Sequence, residues 1–590
     1  MKKSFHPTVV LILLLPLFSK AQEFERFADG ITPINEVSLS GAYRGCAWVD
    51  IDNDHDLDLS LLGYLFRNDG NDQFTQVSGF GTATDGLGSV GWADYENDGD
   101  LDCLYGARSG TRIYQNDGNG NFTSVPVDPN NALITWSGQW ANYNNDPYPD
   151  VIVTVAVNFA GLTSPNYFYV GNADGSFTAI DTFDFVNQTA PYTVSYWTDF
   201  DEDGDSDLFI ASGPGGGPGP DYIYRNDLVE NGVPGLTRIT GEPYTPNNQD
   251  GQCYNFVDYD LDGDLDLYLT NYSGAPNRFY ENQEGTYVSI NNELVFAGSS
   301  LANAWGDFDN DGYQDVILTA DNLNITGYYH NNGDGTFTRL SHMFKDNFNI
   351  SGQTVSGVTI GDSDNDGDLD LFANGSAGAR GLFKNKLDND NHWINFTLSG
   401  NPSNQAALGA IVKVKATIND QEVWLHREIS SQNSFMAQNS LRVHFGLGAT
   451  DNIDSIRINW PSGNVEHFTD VAPDRFYSIT EGSQTVVDLM LTSGTDGPVI
   501  AQEGLFEVTR NPVTDGNLQL QFHQLATNDS VLLQLYSMDG ALVLSQKVSL
   551  ISHQPMQWQI GTLPPGTYTV KATAEGRMSS KKIVVSGGGK

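Results

Sequence analysis

Basic residues are scarce in this chain. Lys and Arg total 29 against 74 Asp and Glu over 590 residues, a formal net charge of −45. That balance excludes nucleic acid and anionic membrane surfaces as partners, since both repel an acidic protein. Cysteine is scarcer still, with only Cys46, Cys103 and Cys253. Three scattered thiols make neither a disulfide framework nor a close metal-ligand set. They are expected as small buried apolar residues, with one pairing left open. After the N-terminus no apolar run is long enough for a membrane-spanning helix. Helical periodicity is weak throughout. HExxH, GxSxG and phosphate-loop motifs are absent; "GPGGGPGP" at 213–220 lacks the Lys-Ser/Thr and reads as a surface loop.

The chain is nevertheless a folding one, with 39% hydrophobic and 11% aromatic residues. It is long enough for several domains with sizeable cores. It starts "MKKSFHPTVVLILLLPLFSKAQ". A short basic region, an apolar run and small residues at Ser19 and Ala21 give a signal peptide over 1–21, cut after Ala21. No Cys follows the cut, which argues against a lipid anchor.

One acidic phrase recurs seven times. The copies are "DIDNDHDLDL" from Asp50, "DYENDGDLDC" from Asp94, "NYNNDPYPDV" from Asn142, "DFDEDGDSDL" from Asp199, "DYDLDGDLDL" from Asp258, "DFDNDGYQDV" from Asp307 and "DSDNDGDLDL" from Asp362. Their starts are 44, 48, 57, 59, 49 and 55 residues apart. An aromatic phrase follows each copy, as in "YLFRNDGNDQF" from Tyr64 and "YYHNNGDGTF" from Tyr328; the last is cut to "GLFKNK" from Gly381. Its Asn-Gly and Asp-Gly steps are hairpin signals. Each unit therefore reads as loop, strand, tight turn, strand, then a third strand into the next loop. Periods near fifty residues with several strands predict a seven-bladed β-propeller over residues 22–388, with closure expected from residues near "FERF" at Phe24.

Within a loop, numbered from its first acid, positions 1, 3, 5 and 9 carry carboxylates and position 6 is Gly. Hard oxygen ligands at alternate positions around a sharp turn suit Ca²⁺, with position 7 giving its backbone carbonyl. No His or Cys is expected to serve a softer metal. The expected ligands are Asp50, Asp52, Asp54, Asp56 and Asp58 in the first loop and Asp94, Glu96, Asp98, Asp100 and Asp102 in the second. They are Asp199, Asp201, Asp203, Asp205 and Asp207 in the fourth, and Asp258, Asp260, Asp262, Asp264 and Asp266 in the fifth. In the sixth they are Asp307, Asp309, Asp311, Tyr313 and Asp315, and in the seventh Asp362, Asp364, Asp366, Asp368 and Asp370. The third loop, with Asn142, Asn144, Asp146, Asp150 and Pro147 at position 6, is expected to be weak or empty. His55 at position 6 of the first loop is expected to strain its turn. An EF-hand is excluded, because position 12 is never Glu. One ion per intact loop would convert like-charge repulsion into folding free energy.

These loops resemble the FG-GAP/VCBS repeats, which include the calcium-binding blades of integrin α-subunit propellers. The resemblance covers all seven copies and implies an all-β, integrin-α-like propeller. Residues 389–482 alternate with period two between Gly, Asn and Pro-Ser-Gly turns. "ALGAIVKV" from Ala407, "HFGLG" from His444 and "NWPSG" from Asn459 resemble the ASPIC/UnbV domain. His426, Arg427 and Glu428 there alternate faces of a strand and are expected as an exposed pair or turn contact. Residues 483–503 read as a linker. From 504 to 590, the "NP" at Asn511, the turn Met538-Asp539-Gly540, "LPPGTYTV" and "KKIVV" resemble the type A C-terminal sorting domain of the type IX secretion system. The last two modules are expected as small β-sandwiches. This resemblance implies type IX machinery as a partner and a location outside a bacterial cell or on its outer membrane.

Two function classes stand. The favoured one is a non-catalytic, calcium-stabilised surface protein for adhesion or for glycan or protein recognition. The alternative is a calcium-dependent polysaccharide lyase or hydrolase. Trp92, Trp197 and Trp305 recur just before acidic loops and are expected as blade core rather than a sugar platform.

Overall fold

The computed structural model describes residues 24–27, 34 and 43–489 less short loops, of which 341–354 is the longest, and the strands beyond residue 505. The signal segment, residues 214–218 of the 213–220 loop, linker residues 490–503, Asn511 and the turn at 538–540 lie outside the described residues. The chain forms two compact units, one running to about residue 486 and one essentially 487–590.

The first unit is propeller-like. Among the described residues, seven antiparallel sheets follow one another. Their inner strands are Cys46–Val49, Leu87–Ala93, Ser137–Ala141, Tyr192–Thr198, Gly251–Val257, Ser300–Gly306 and Val355–Gly361. Each inner strand packs against the next, and Val355–Gly361 packs against Cys46–Val49. Inner strands are buried on both faces, so they read as continuous apolar and small residues without alternation. Trp92, Trp197 and Trp305 are buried there with Cys46 and Cys253, and the third free cysteine, Cys103, is buried on a second strand.

Each sheet has four strands of this pattern where the sequence suggested three. The segment between the acidic loop and the Asn-Gly or Asp-Gly turn is two strands rather than one, for example Asp58–Leu61 and Tyr64–Asn68, and the strand after the turn, such as Phe74–Gln76 or Phe177–Ala179, is the outermost. These outer strands are short and largely exposed, which is why they carry little hydrophobic pattern. The truncated seventh unit has no such strand of its own. Phe24–Arg26 fills the place, pairing antiparallel with Gly381–Asn385 so that Phe24 faces Asn385. Phe24 packs edge-on against Phe308 and Tyr328.

The Asn that ends the third strand ties most sheets to their neighbours. Asn116 Nδ2 donates to the carbonyl of Ile51 one sheet back, Asn226 to Tyr143, Asn331 to Tyr259 and Asn385 to Phe308. Asn68 donates to Ser363, joining the first sheet to the seventh. Each bond satisfies a buried carbonyl that the neighbouring ladder leaves open.

The module after the repeats pairs His392–Ser399 with Val443–Gly448, and stacks Gln421–Glu428, Ile411–Ile418, Ser455–Asn459 and Val465–Phe468 in a second sheet. Its segment 430–440 runs into the channel between the inner strands. Gln438 exchanges hydrogen bonds with the Trp92 backbone and donates its own N–H to the Cys46 carbonyl. Ser431 bonds Trp140, Ser430 bonds Trp197, and Asn433 accepts from Asn255. Thr359 and Ile360 of the seventh sheet bond Gln438 and Asn439.

The second unit has sheets of three and four strands, the latter ordered Leu542–Ser549, Ser530–Ser537, Gly566–Ala574, Arg577–Val585. Leu518, Leu520, Leu533, Trp558 and Val570 are among its core residues. Among the described residues helix is confined to two four-residue turns, Asp184–Asn187 and Leu228–Asn231.

Candidate metal centres

Each acidic loop joins an inner strand to the second strand of its sheet, so all seven lie at the same end of the successive sheets. Their positions have distinct jobs. Position 9 is a latch in every copy, the third included. One carboxylate oxygen accepts the position-2 N–H, as Asp58 does from Ile51 at 2.8 Å and Asp150 from Tyr143 at 2.8 Å. The other accepts the N–H at the end of the third strand, from Asn68 at 2.6 Å or Gly171 at 3.0 Å. These acids are 0–1% exposed. Burial pushes Asp102 and Asp150 up to about 8 and Asp266 to about 9 against the pull of those amides.

Position 1 shapes the turn. Asp94 accepts from the N–H groups of Asp98 and Gly99, and Asp307 from those of Asp311 and Gly312. Position 5 accepts from position 7, as in Asp262 from Asp264 at 3.0 Å. Position 7 points its side chain away, Asp205 to the N–H of Val229 and Asp264 to that of Glu284.

Two backbone positions require φ > 0. The Gly at position 6 sits at φ from 94° to 105°, and His55 is held at 73°. The second was not evident from the acids: position 4 is left-handed in all seven loops, at φ from 54° to 62°. The signal was present, since five of the seven are Asn, which tolerates that region. Asn at position 4 also bridges loops. Asn53 reaches Asp100, Asn310 reaches Asp368, and Asn365 reaches Asp56 across the seventh-to-first junction.

The fit to a cation rests on orphaned carboxylate oxygens. Asp52 Oδ1, Asp203 Oδ2, Asp205 Oδ1, Asp258 Oδ1, Asp260 Oδ1 and Asp309 Oδ1 are buried with no hydrogen-bond partner among the described residues. An unpaired buried carboxylate oxygen is costly unless a cation meets it. Burial and neighbouring acids raise Asp52 and Asp201 to about 6 and Asp258 to about 7. Asp50–Asp52–Asp58, Asp199–Asp201–Asp203 and Asp258–Asp260–Asp262 each bring one oxygen per residue within 4.8 Å of the others. This donor set is all oxygen and suits a hard cation. In the third loop Pro147 has no N–H to give, and Asn142 Nδ2 turns to Asn145 and the Leu408 carbonyl instead.

Histidine does reach these loops, contrary to the expectation from spacing. His330 Nδ1 lies 3.4 Å from Asp309 and 3.2 Å from Asp315, and His55 Nδ1 3.7 Å from Asp50. Strand register, not sequence proximity, brings His330 there. The residue one before the bridging Asn faces position 3 in most sheets. Gln115 donates to Glu96, Arg67 favours the charged form of Asp52, and Glu281 opposes that of Asp260.

The module docks on this loop end. Gln405 N–H donates to Asn97, and Arg442 bonds Asn365 and the His55 carbonyl. Asn391 donates to the Asp309 carbonyl and His444 meets that of Gly367 at 3.1 Å. The trio 426–428 is therefore not an exposed pair. His426 is buried 3.2 Å from Glu202, which also holds Lys413 at 2.5 Å. Burial would raise Glu202, but His426 and Lys413 hold it near 2. Arg427 covers the Phe445 ring, and Glu428 accepts from Thr198. Burial pushes Glu428 up to about 7.

Residues 94–153, 142–210, 258–318 and 307–373 match the FG-GAP-like repeat. Residues 400–486 match the ASPIC and UnbV family, and 511–586 the secretion system C-terminal sorting domain. The chain thus carries FG-GAP-like repeats, an ASPIC/UnbV domain and a type IX sorting domain, and is exported for secretion or cell-surface attachment. Among the described residues no helix is long and apolar enough to cross a membrane. No curated protein matches the chain. Solved structures give distant likenesses. A Photorhabdus luminescens Tc holotoxin pore is 11% identical with TM-score 0.31, covering 91% of this chain, which spans 20% of that one. The V. cholerae biofilm matrix protein Bap1 is 10% identical with TM-score 0.25, covering 96% and 84%. An α-L-arabinofuranosidase from Fusarium graminearum is 10% identical with TM-score 0.31, covering 48% and 88%.

Proposed function

We propose that this secreted repeat protein is a calcium-stabilised binding protein that recognises a glycan or protein at the cell surface, without catalysis. The observation that carries the calcium part is the set of buried, unpartnered oxygens in the first, fourth, fifth and sixth loops. Asp50, Asp52 and Asp54 would hold the ion of the first loop, Asp199, Asp201 and Asp203 that of the fourth, and Asp258, Asp260 and Asp262 that of the fifth. Asp309 and Asp311 would serve in the sixth. A bound Ca²⁺ supplies charge neutralisation there and fixes the turn that starts each second strand.

Two features favour binding over catalysis. The inner ends of the acidic loops lie against the ASPIC/UnbV module, through contacts such as Arg442 with Asn365 and Asn391 with Asp309. The channel, where many propellers place a ligand, is occupied by 430–440. Recognition then falls to the exposed outer strands and the connections at the opposite strand ends. Glycan-array binding with and without chelator, beside lyase and reducing-sugar assays on the same polysaccharides, tests this. Binding without turnover is expected. Turnover abolished by a substitution outside the calcium loops would establish the enzymatic alternative instead.

A further inference from the structure

We infer that the seventh acidic loop carries its own cation, the ammonium of Lys384, and takes no divalent ion although its acids are complete. This rests on the calcium reading of the other loops and deepens it. Lys384 occupies the place held by Arg67, Gln115, Val170, Arg225, Glu281 and His330 in the other six units, one residue before the end of the third strand. From there it enters the loop. Its Nζ lies 3.1 Å from Asp364 Oδ2 at position 3, 3.2 Å from Asp370 Oδ2 at position 9 and 2.7 Å from Ser363 Oγ. The side chain is 3% exposed.

That placement puts a fixed positive charge between the position-3 and position-9 carboxylates, where a metal would need their lone pairs. A divalent ion there would meet the ammonium at close range, a repulsion that solvent screens only weakly beside the buried Lys384 and Asp370. The oxygens agree. Among the described residues the first, fourth, fifth and sixth loops each leave at least one buried carboxylate oxygen without a partner, while the seventh leaves none; the second also leaves none, but there the neutral Gln115 donates to Glu96 and no cation enters. In the fifth loop the same place holds Glu281, whose charge adds to the demand for a cation. The loop sequence is shared; the strand residue facing it decides whether the ion comes from solution or from the chain.

The arrangement has a use. The seventh sheet closes the ring, with Phe24–Arg26 as its outer strand and Asn365 bonded to Asp56 of the first loop. A built-in cation keeps that junction assembled when calcium is low, while the other loops respond to it.

The test is calcium stoichiometry on the full chain, by equilibrium dialysis with elemental analysis. Asp260→Asn in the fifth loop should lower the count by one; no change there, or no calcium bound at all, sinks the calcium reading itself. With that reading standing, Asp364→Asn should leave the count unchanged, and Lys384→Gln should raise it by one. Lys384→Arg should leave it as in the parent. A count lowered by Asp364→Asn, or one that Lys384→Gln does not raise, overturns the inference. If Lys384→Gln does not fold, the Asp364→Asn result decides alone.

Discussion

The fifth and seventh acidic loops, "DYDLDGDLD" and "DSDNDGDLD", have the same acids and the same Gly. In the fifth, Asp258 Oδ1 and Asp260 Oδ1 are buried without partners. In the seventh no buried carboxylate oxygen is left without a partner among the described residues, and Lys384 meets the buried Asp370 and the more exposed Asp364. Burial pushes Asp266, the fifth latch, to about 9; it also raises its counterpart Asp370, but Lys384 holds that group near 6. A ligand pattern thus tells where charge is concentrated. It does not tell what neutralises it, because the neutralising group comes from another strand.

Four substitutions break or sharpen the contrast. The largest effect is expected from Lys384→Met in chelator, which leaves Asp364 and Asp370 facing each other. We predict a loss of about 3–5 kcal/mol in denaturant unfolding, the usual cost of breaking a buried ion pair; a loss under ~1 kcal/mol would make the pair incidental. Asp260→Asn should cost about 3 kcal/mol when calcium is a hundredfold above its dissociation constant. In chelator the sign should reverse, since the change removes a repelling charge. Asn68→Ala should cost roughly 1–3 kcal/mol in either condition, because it strands the carbonyls of Leu57 and Ser363. A calcium-dependent cost would contradict its role as a tie between sheets. The smallest effect is a gain. His55→Gly releases a residue held at φ 73° and should stabilise by roughly 1 kcal/mol, read as a small rise in melting temperature.

Much of this architecture was legible in the chain. Seven phrases in phase gave seven sheets, and the burial of Trp92, Trp197 and Trp305 followed from their recurrence. Gly at position 6 marked the tight turn. The sequence pointed to "FERF" without fixing the strand, and Phe24–Arg26 does complete a sheet more than three hundred residues away. Two things were not legible, each because it is long-range. Residues 430–440 drew no reading from the sequence, because their hydrogen bonds go to groups of other sheets. Lys384 and His330 look unremarkable until strand register sets them beside loops that precede them by some twenty residues. Position 4 was legible and overlooked: the repeated Asn was a left-handed turn signal.

The most direct test of the calcium account is thermal unfolding at pH 5 and pH 8, at low salt, with chelator or with calcium. Folded loop carboxyls titrate at about 6 for Asp52 and Asp201, about 7 for Asp258 and about 9 for Asp199. The unfolded chain titrates near ~3.9. The native state therefore binds more protons between those limits, and without metal its stability falls as pH rises through them. The account predicts a lower melting temperature at pH 8 than at pH 5 in chelator, and a rise of more than ~5 °C at pH 8 when calcium is added. A melting temperature at pH 8 that is the same in chelator and in calcium would contradict it.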